Sequence, residues 1–398
     1  MIVDLHSHYP MHLAADDPAT LELMLSTRRE SLRDRLRARL LRVACRLANY
    51  QGPGGGPAVT LTTLAASRLR VALSSLFVPL DELDLEVRYG AAPRADYFAH
   101  LLAQIRTVEE SVARQREVVV AHDSAELDDA LAAGRVALIH AVEGGFHLGD
   151  TPEAVRANVG ALADRGVAYI TVAHLFWRQI ATNAPAVPFL PDWIYRLLFP
   201  QPRIGLTELG RTMVAAMFEH RILVDVTHMS TRSFDDTMAL LDQLDPGLSA
   251  PVIAGHTAYR FTGHEYDLSE QQVRQIARRR GVIGLILCPH WIDPATRARS
   301  FQESVQALCR HIDRLQAITG SHEFTAIGSD QDGFIKPALP GLETPIGMGA
   351  LEEELARRYG RGTTSLICSE NARRVLAWWG SRAAAAEPAA PTDWDAHM

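Results

Sequence analysis

An α/β fold, a (β/α)8 TIM-type barrel with a helical insertion after its first strand, is the class this sequence predicts. Two observations carry that prediction. Eight short, β-branched apolar runs, at 2–6, 71–78, 136–143, 168–174, 222–228, 251–256, 282–288 and 324–330, mostly alternate with helical patterns. Continuous apolar runs suit strands of a parallel sheet buried on both faces. Six of the runs end in a side chain able to bind metal or move a proton, namely His6, Glu143, His174, His228, His256 and Asp330. Active sites of such barrels collect at the C-terminal ends of the strands. A doubly wound open sheet would share the element order, because sequence alone does not close a barrel.

The helices have readable starts. One spans 124–133 behind a cap-like Ser124; another spans 151–165 with Pro152 at its first position. A third, at 269–280, opens on Ser269 with Gln272 three residues on, the pattern of a capping box. Helices at 300–319 and 351–359 complete the set. The leucine- and arginine-rich stretch 21–50 reads as a helical insertion (about 21–60), followed by a Gly/Pro loop at 51–57. Residues 1–380 thus form one expected domain, with 381–398, rich in Ala and Pro, as a flexible tail. The aromatic and proline-rich segment 175–203 follows the fourth strand, which suits a substrate-facing loop or an oligomer contact equally.

Composition narrows the function. The chain has 398 residues, 47% hydrophobic and 22% charged, with a net charge of −7. No basic surplus exists to track a phosphate backbone, so nucleic acid is not an expected partner. The four cysteines (Cys45, Cys288, Cys309, Cys368) are scattered and form no CxxC pair, which suits a reducing compartment. The opening Met-Ile-Val-Asp-Leu-His reads as a strand, not a signal segment. No run approaches the roughly 20 apolar residues of a membrane span. A cytoplasmic protein with no membrane partner is the expectation.

The chemistry is concentrated in a few residues. His6 and His8, two apart on a strand, project to the same side and can grip one ion. Glu143 ends an apolar strand, where a carboxylate is costly unless paired or metal-bound, and Gly144-Gly145 after it permits close backbone approach. Each signal alone is weak: an isolated HxH is more often a surface or core pair, and an isolated glutamate more often a cap. His228 and His256 end successive strands, so they can hold a second ion, with Glu143 shared between the two. Four histidines and one carboxylate suit two divalent cations, Zn2+ by ligand type. Asp330, in Gly328-Ser329-Asp330-Gln331-Asp332-Gly333, is placed as general base or proton shuttle; Asp332 reads as a turn residue. His174 has no second ligand nearby and reads as a substrate-polarising group.

Taken together these pieces resemble the membrane (renal) dipeptidase family, the M19 metallopeptidases among the amidohydrolase-like barrels. The resemblance rests on Asp4-Leu5-His6-Ser7-His8, Val142-Glu143-Gly144-Gly145, His174 with Asn183, Val224-Asp225-Val226-Thr227-His228-Met229-Ser230, Gly255-His256-Thr257, Gly281-Val282-Ile283-Gly284, the Asp330 loop and Asn371-Ala372-Arg373-Arg374-Val375-Leu376. It implies Glu143 as a bridging ligand, His6 on one zinc, and His228 and His256 on the other. It further implies His174 on the substrate carbonyl and Asp330 moving a proton from a bridging hydroxide's water to the leaving amine. Family members often dimerise, so a homodimer is among the expectations.

Two departures bear on the substrate. The family carries His-x-Asp where this chain has His6-Ser7-His8, which removes one negative charge from the first ligand set. Tyr266 stands where the family has an arginine that clamps the substrate carboxylate, and a phenol is not equivalent to a guanidinium; Arg260 or Arg178 is the candidate replacement. A dipeptide-like amide is therefore the first reading of the substrate. Another amide, an ester or a lactone is the second. A catalytically silent binding barrel is a third.

Overall fold

Among the described residues nine runs pair as parallel strands: β1 (Ile2–Ser7), β2 (Leu69–Leu76), β3 (Val118–Val120), β4 (Val136–Glu143), β5 (Tyr169–Thr171), β6 (Leu223–Asp225), β7 (Val252–Thr257), β8 (Val282–Leu285) and β9 (Thr325–Ile327). The computed structural model describes residues 1–14, 57–82, 87, 89–187, 190–295, 297–333 and 338–380. The neighbours run β2-β1-β9-β8-β7-β6-β5-β4, and β2 pairs again with β4, from Val71 opposite Ala137 to Leu76 opposite Val142. That pairing closes an eight-stranded barrel and decides against the open sheet. The ninth strand, β3, escapes the sequence pattern because three valines are too short a run. It pairs with the first half of β4 only, Val118 opposite Val136.

Alternate strand residues divide between two apolar clusters, as the twofold period of a strand requires. Val71, Leu73, Ala137, Ile139, Leu223, Ile253 and Val282 belong to the smaller. Val136, Leu138 and Val142 join Leu101, Ile105 and Val108 of the helix Asp96–Val112 in the larger.

Five strands stop short of the runs read from sequence, at Leu76, Thr171, Asp225, Leu285 and Ile327. His174, His228 and Asp330 accordingly lie in the loops just past the strands. The cause is local at two of them: His228 (φ 65°) and Asp330 (φ 55°) are left-handed, a conformation outside the β region. Ser269 (with Gln272) caps its helix as read, and Thr151 and Ser300 cap theirs. At the helix Ser124–Ala132, however, the cap is Asp123, whose Oδ1 accepts the Glu126 N–H at 2.8 Å. The helix read at 351–359 runs from Met348 to Ser365, across a non-helical Gly360. The insertion at about 21–60 and the tail 381–398 fall outside the described residues, apart from 57–60, which lead into the helix Leu61–Ala66. Among the described residues no helix is long and apolar enough to cross a membrane. Cys288, Cys309 and Cys368 are free and buried.

Outside the barrel mouth, Arg279 is fully buried and ties two helices together. Its guanidinium donates to Asp242 Oδ1 at 2.6 Å and to Asp245 Oδ2 at 3.1 Å. Removing one partner of a buried pair costs about 3 kcal/mol or more, so Arg279→Met should lower unfolding free energy by about that amount at neutral pH. Burial works to raise the Asp245 carboxyl, but the N–H groups of Ala250 and Ser249, with Arg279, hold it below its ordinary value of 3.8. A depressed carboxyl contributes stability above its unfolded pKa and loses it as pH falls. The gap between the two proteins in urea unfolding should therefore narrow below the ordinary aspartate value. A variant as stable as the parent at neutral pH would contradict this.

Candidate metal centre

The strands bring the sequence-predicted residues to one mouth of the barrel. Glu143, at the end of β4 and 2% exposed, lies at the centre of five imidazoles. Its Oε1 is 3.3 Å from the Nε2 atoms of His6, His174 and His256 and 3.7 Å from that of His228. Its Oε2 is 3.4 Å from His8 Nε2. The backbone accommodates this at Gly144 (φ 93°), which turns the chain out of the strand.

The imidazole nitrogens also face one another: His6 and His8 Nε2 are 3.0 Å apart, and His228 and His256 Nε2 are 3.1 Å apart. Zinc–nitrogen bonds of about 2.05 Å in a tetrahedron put neighbouring donor atoms about 3.3 Å apart. The observed spacings are close to that edge, so these nitrogens could share a cation. Burial and the neighbouring His174 lower the pKa of His228, and burial with His6 lowers that of His256 further. Both rings are thereby neutral donors. Glu143 is driven the other way: burial works to raise it, but His174, His6 and His8 hold it well below the carboxylate range. An ionised carboxylate beside two neutral imidazoles, His228 and His256, fits one or two divalent cations. At this mouth, three groups among the described residues are compact enough: His6, His8 and Glu143; Glu143, His174 and His228; and His6, His256 and Asp330.

Four supporting groups were not singled out from sequence. Glu82, fully buried, accepts from His174 Nδ1 at 2.7 Å and from the Phe176 N–H at 3.0 Å. This orients the His174 ring and aims Nε2 at the centre. Burial works to lower His174, but Glu143 and Glu82 together raise it to about 10. Tyr169 and Ser75 hold His6 Nδ1 at 2.6 and 3.0 Å. Asp225 crosslinks three strands, accepting from Thr171 Oγ1 at 2.7 Å and from the Gly255 N–H at 2.9 Å. Partners of this kind are visible only once strands distant in sequence are neighbours. Supporting carboxylates are worth about ten- to a hundredfold in activity or metal affinity. Glu82→Gln should lower kcat by about that factor and leave the metal content unchanged. A drop in bound metal would instead make His174 a ligand.

Asp330 is 14% exposed at the rim, its Oδ1 3.1 Å from His8 Nε2 and 3.8 Å from His6 Nε2. Asp332 accepts the N–H groups of Ala58 and Val59 at 3.0 and 2.7 Å, a structural task as read. Tyr266 lies beside the centre, its ring 5.0 Å from that of His228, but its hydroxyl donates to the His256 carbonyl at 2.6 Å. Arg260 donates to the carbonyls of Asp267 and Glu265, and Arg178 to that of Glu82. All three are thus tied to the protein's own backbone. Trp291 stacks on Tyr266 at 4.4 Å and lines a cleft of about 310 Å3 with Pro185, Asp192, His264, His290 and Arg297. The segment 175–203 contributes Pro185, Val187, Leu190 and Asp192 to this cleft, while Phe176, Tyr195 and Phe199 pack inward on one another.

The sequence profile described as membrane dipeptidase (peptidase family M19) matches residues 2–387. A relative from Claviceps purpurea (strain 20.1), dipeptidase tcpJ, is 26% identical over 325 residues, 80% of this chain and 66% of its own length. A protein of Klebsiella pneumoniae described only as encoded in the pqqA 5′ region is 29% identical over 139 residues, 35% of this chain and 48% of its own. The chain thus spans just under two thirds of the first relative and about half of the second. Among solved structures, a Rhodobacter sphaeroides metallopeptidase bound to a phosphinate mimic of L-Ala-D-Ala superposes with a TM-score of 0.65 at 20% identity, over 95% of this chain and 99% of that one. The dipeptidase AC metallopeptidase gives 0.67 at 22% identity, over 86% and 96%. At such identities the structural likeness establishes the barrel and nothing finer.

Proposed function

The chain belongs to the membrane dipeptidase family, peptidase family M19, and from that premise we propose that it hydrolyses the amide bond of a dipeptide-like substrate at a two-cation centre. The observation that carries this reading is the convergence of five imidazole Nε2 atoms on the single carboxylate of Glu143. His6 and His8 would hold one ion, His228 and His256 the other, and Glu143 both. When bound, two divalent cations, Zn2+ by the donor set, supply Lewis acidity and a water ionised near neutral pH.

The chain's own residues do the rest. Asp330, within reach of the His8 edge of the centre, accepts the proton of the attacking water and returns it to the leaving amine. His174, held by Glu82, donates from Nε2 to the developing oxyanion. Tyr266 and Trp291 form an apolar wall and keep water from that side. The Tyr266 hydroxyl is spent on the His256 carbonyl, so the clamp for a substrate carboxylate falls to another cation. Arg297, on the wall of the neighbouring cleft, offers one.

A Zn2+-supplemented panel of L,L and L,D dipeptides, N-acyl amino acids and lactones tests the reading. Turnover should be highest on a dipeptide or a close amide. Turnover confined to lactones or esters would move the protein to the second reading of its substrate. No turnover, with no metal retained, would leave only the binding barrel.

A further inference from the structure

A second group of ligand-type side chains sits outside the barrel mouth. His140 lies in the middle of β4, three residues before Glu143, on the strand face that packs towards the helix Asp96–Val112. It is fully buried, and neither ring nitrogen has a hydrogen-bond partner among the described residues. Its Nε2 points at Glu109 Oε1 of that helix at 3.5 Å. His122, in the turn after β3, brings its own Nε2 to the same oxygen at 3.5 Å. Both separations exceed the roughly 3.2 Å limit of a good hydrogen bond, and both match the donor-to-donor edge of about 3.3 Å around a tetrahedral cation.

His122 is aimed by its other nitrogen. Nδ1 is 2.8 Å from Glu126 Oε2, and the same oxygen accepts the His122 N–H at 2.9 Å. A carboxylate on the far nitrogen is the support that orients a metal-ligating imidazole. Gly166 (φ 71°) makes room for the turn, since a Cβ there would come within 2.4 Å of the His122 backbone. Burial pushes His140 down, more strongly than Glu109 raises it, so the ring is a neutral donor at physiological pH. Glu109 and His122 are 39% and 42% exposed, which leaves a solvent-facing side for an ion to enter and for water to complete its shell.

We propose that Glu109, His122 and His140 form a further binding site for a zinc-class divalent cation, separate from the centre at Glu143. Two imidazoles and one carboxylate are the donor types that suit zinc. An ion there would fasten β4, the turn after β3 and the helix Asp96–Val112 to one another.

The test uses the whole protein with Zn2+ as the only probe. Metal-stripped protein is dialysed against micromolar free Zn2+, and zinc per chain is compared with that of His122→Ala and Glu109→Gln. Both substitutions replace part-exposed side chains, and circular dichroism checks that each variant is folded. Each variant should hold one zinc fewer per chain than the parent. Zinc should also slow amide exchange over residues 118–126 in the parent alone. Equal zinc contents in the three folded proteins, or zinc protection of 118–126 that persists in the variants, would overturn the site.

Discussion

Glu143→Gln should strip the barrel mouth of metal and remove nearly all turnover. The carboxylate is buried and lies within 3.3–3.7 Å of five imidazole nitrogens. Glutamine keeps its shape but not its charge, and a neutral amide leaves two cations facing neutral imidazoles with no anion between them. The ions contribute several kcal/mol to the reaction. At 1.36 kcal/mol per decade, kcat/KM should therefore fall by about a thousandfold or more. Zinc content by elemental analysis should fall with it. The replacement also removes the charge that raises His6 and His174, so both rings should titrate at lower pH in the metal-free variant. Parent-like zinc content would break the proposed bridge.

Asp330→Asn should separate proton transfer from metal binding. The side chain lies at the rim, 14% exposed and 3.1 Å from His8, and is not needed to balance the charge of the ligand set. Zinc content should stay at the parental level while kcat drops by about a hundred- to ten-thousandfold, the usual worth of general acid–base catalysis. Full turnover in the variant would exclude Asp330 as the proton carrier. The two variants thus answer different questions: one loses metal and rate together, the other rate alone.

Metal-capable residues at the ends of apolar runs were legible because they interrupt a period. An ionisable residue closing a β-branched stretch is expensive to bury and therefore conspicuous, as at His6, Glu143 and His256. The extent of the strands was less legible. His228 and Asp330 continue apolar runs in sequence, yet the backbone has turned left-handed by the time it reaches them. Such a turn depends on what the side chain must face, not on local propensity. Glu82 carried no signal at all. It sits in a short helix, and its task appears only when that helix is brought against the loop after β5. The Glu109–His122–His140 group escaped for the same reason, its members belonging to a helix, a turn and a strand.

What the order of residues determined by itself was the alternation of strand and helix, the capping box at Ser269, and the candidate ligands at the ends of the apolar runs. Those features depend on periods and spacings within a dozen residues, where backbone geometry alone dictates which side chains share a face. Tertiary structure alone decided that β2 returns to β4 and closes the ring. It also decided that Glu143 lies among all five imidazoles, and that Tyr266, Arg260 and Arg178 are tied to backbone carbonyls. Apart from the short-range bonds of Tyr266 and Arg260, these outcomes turn on distances between groups tens of residues or more apart, which close packing of the whole barrel sets.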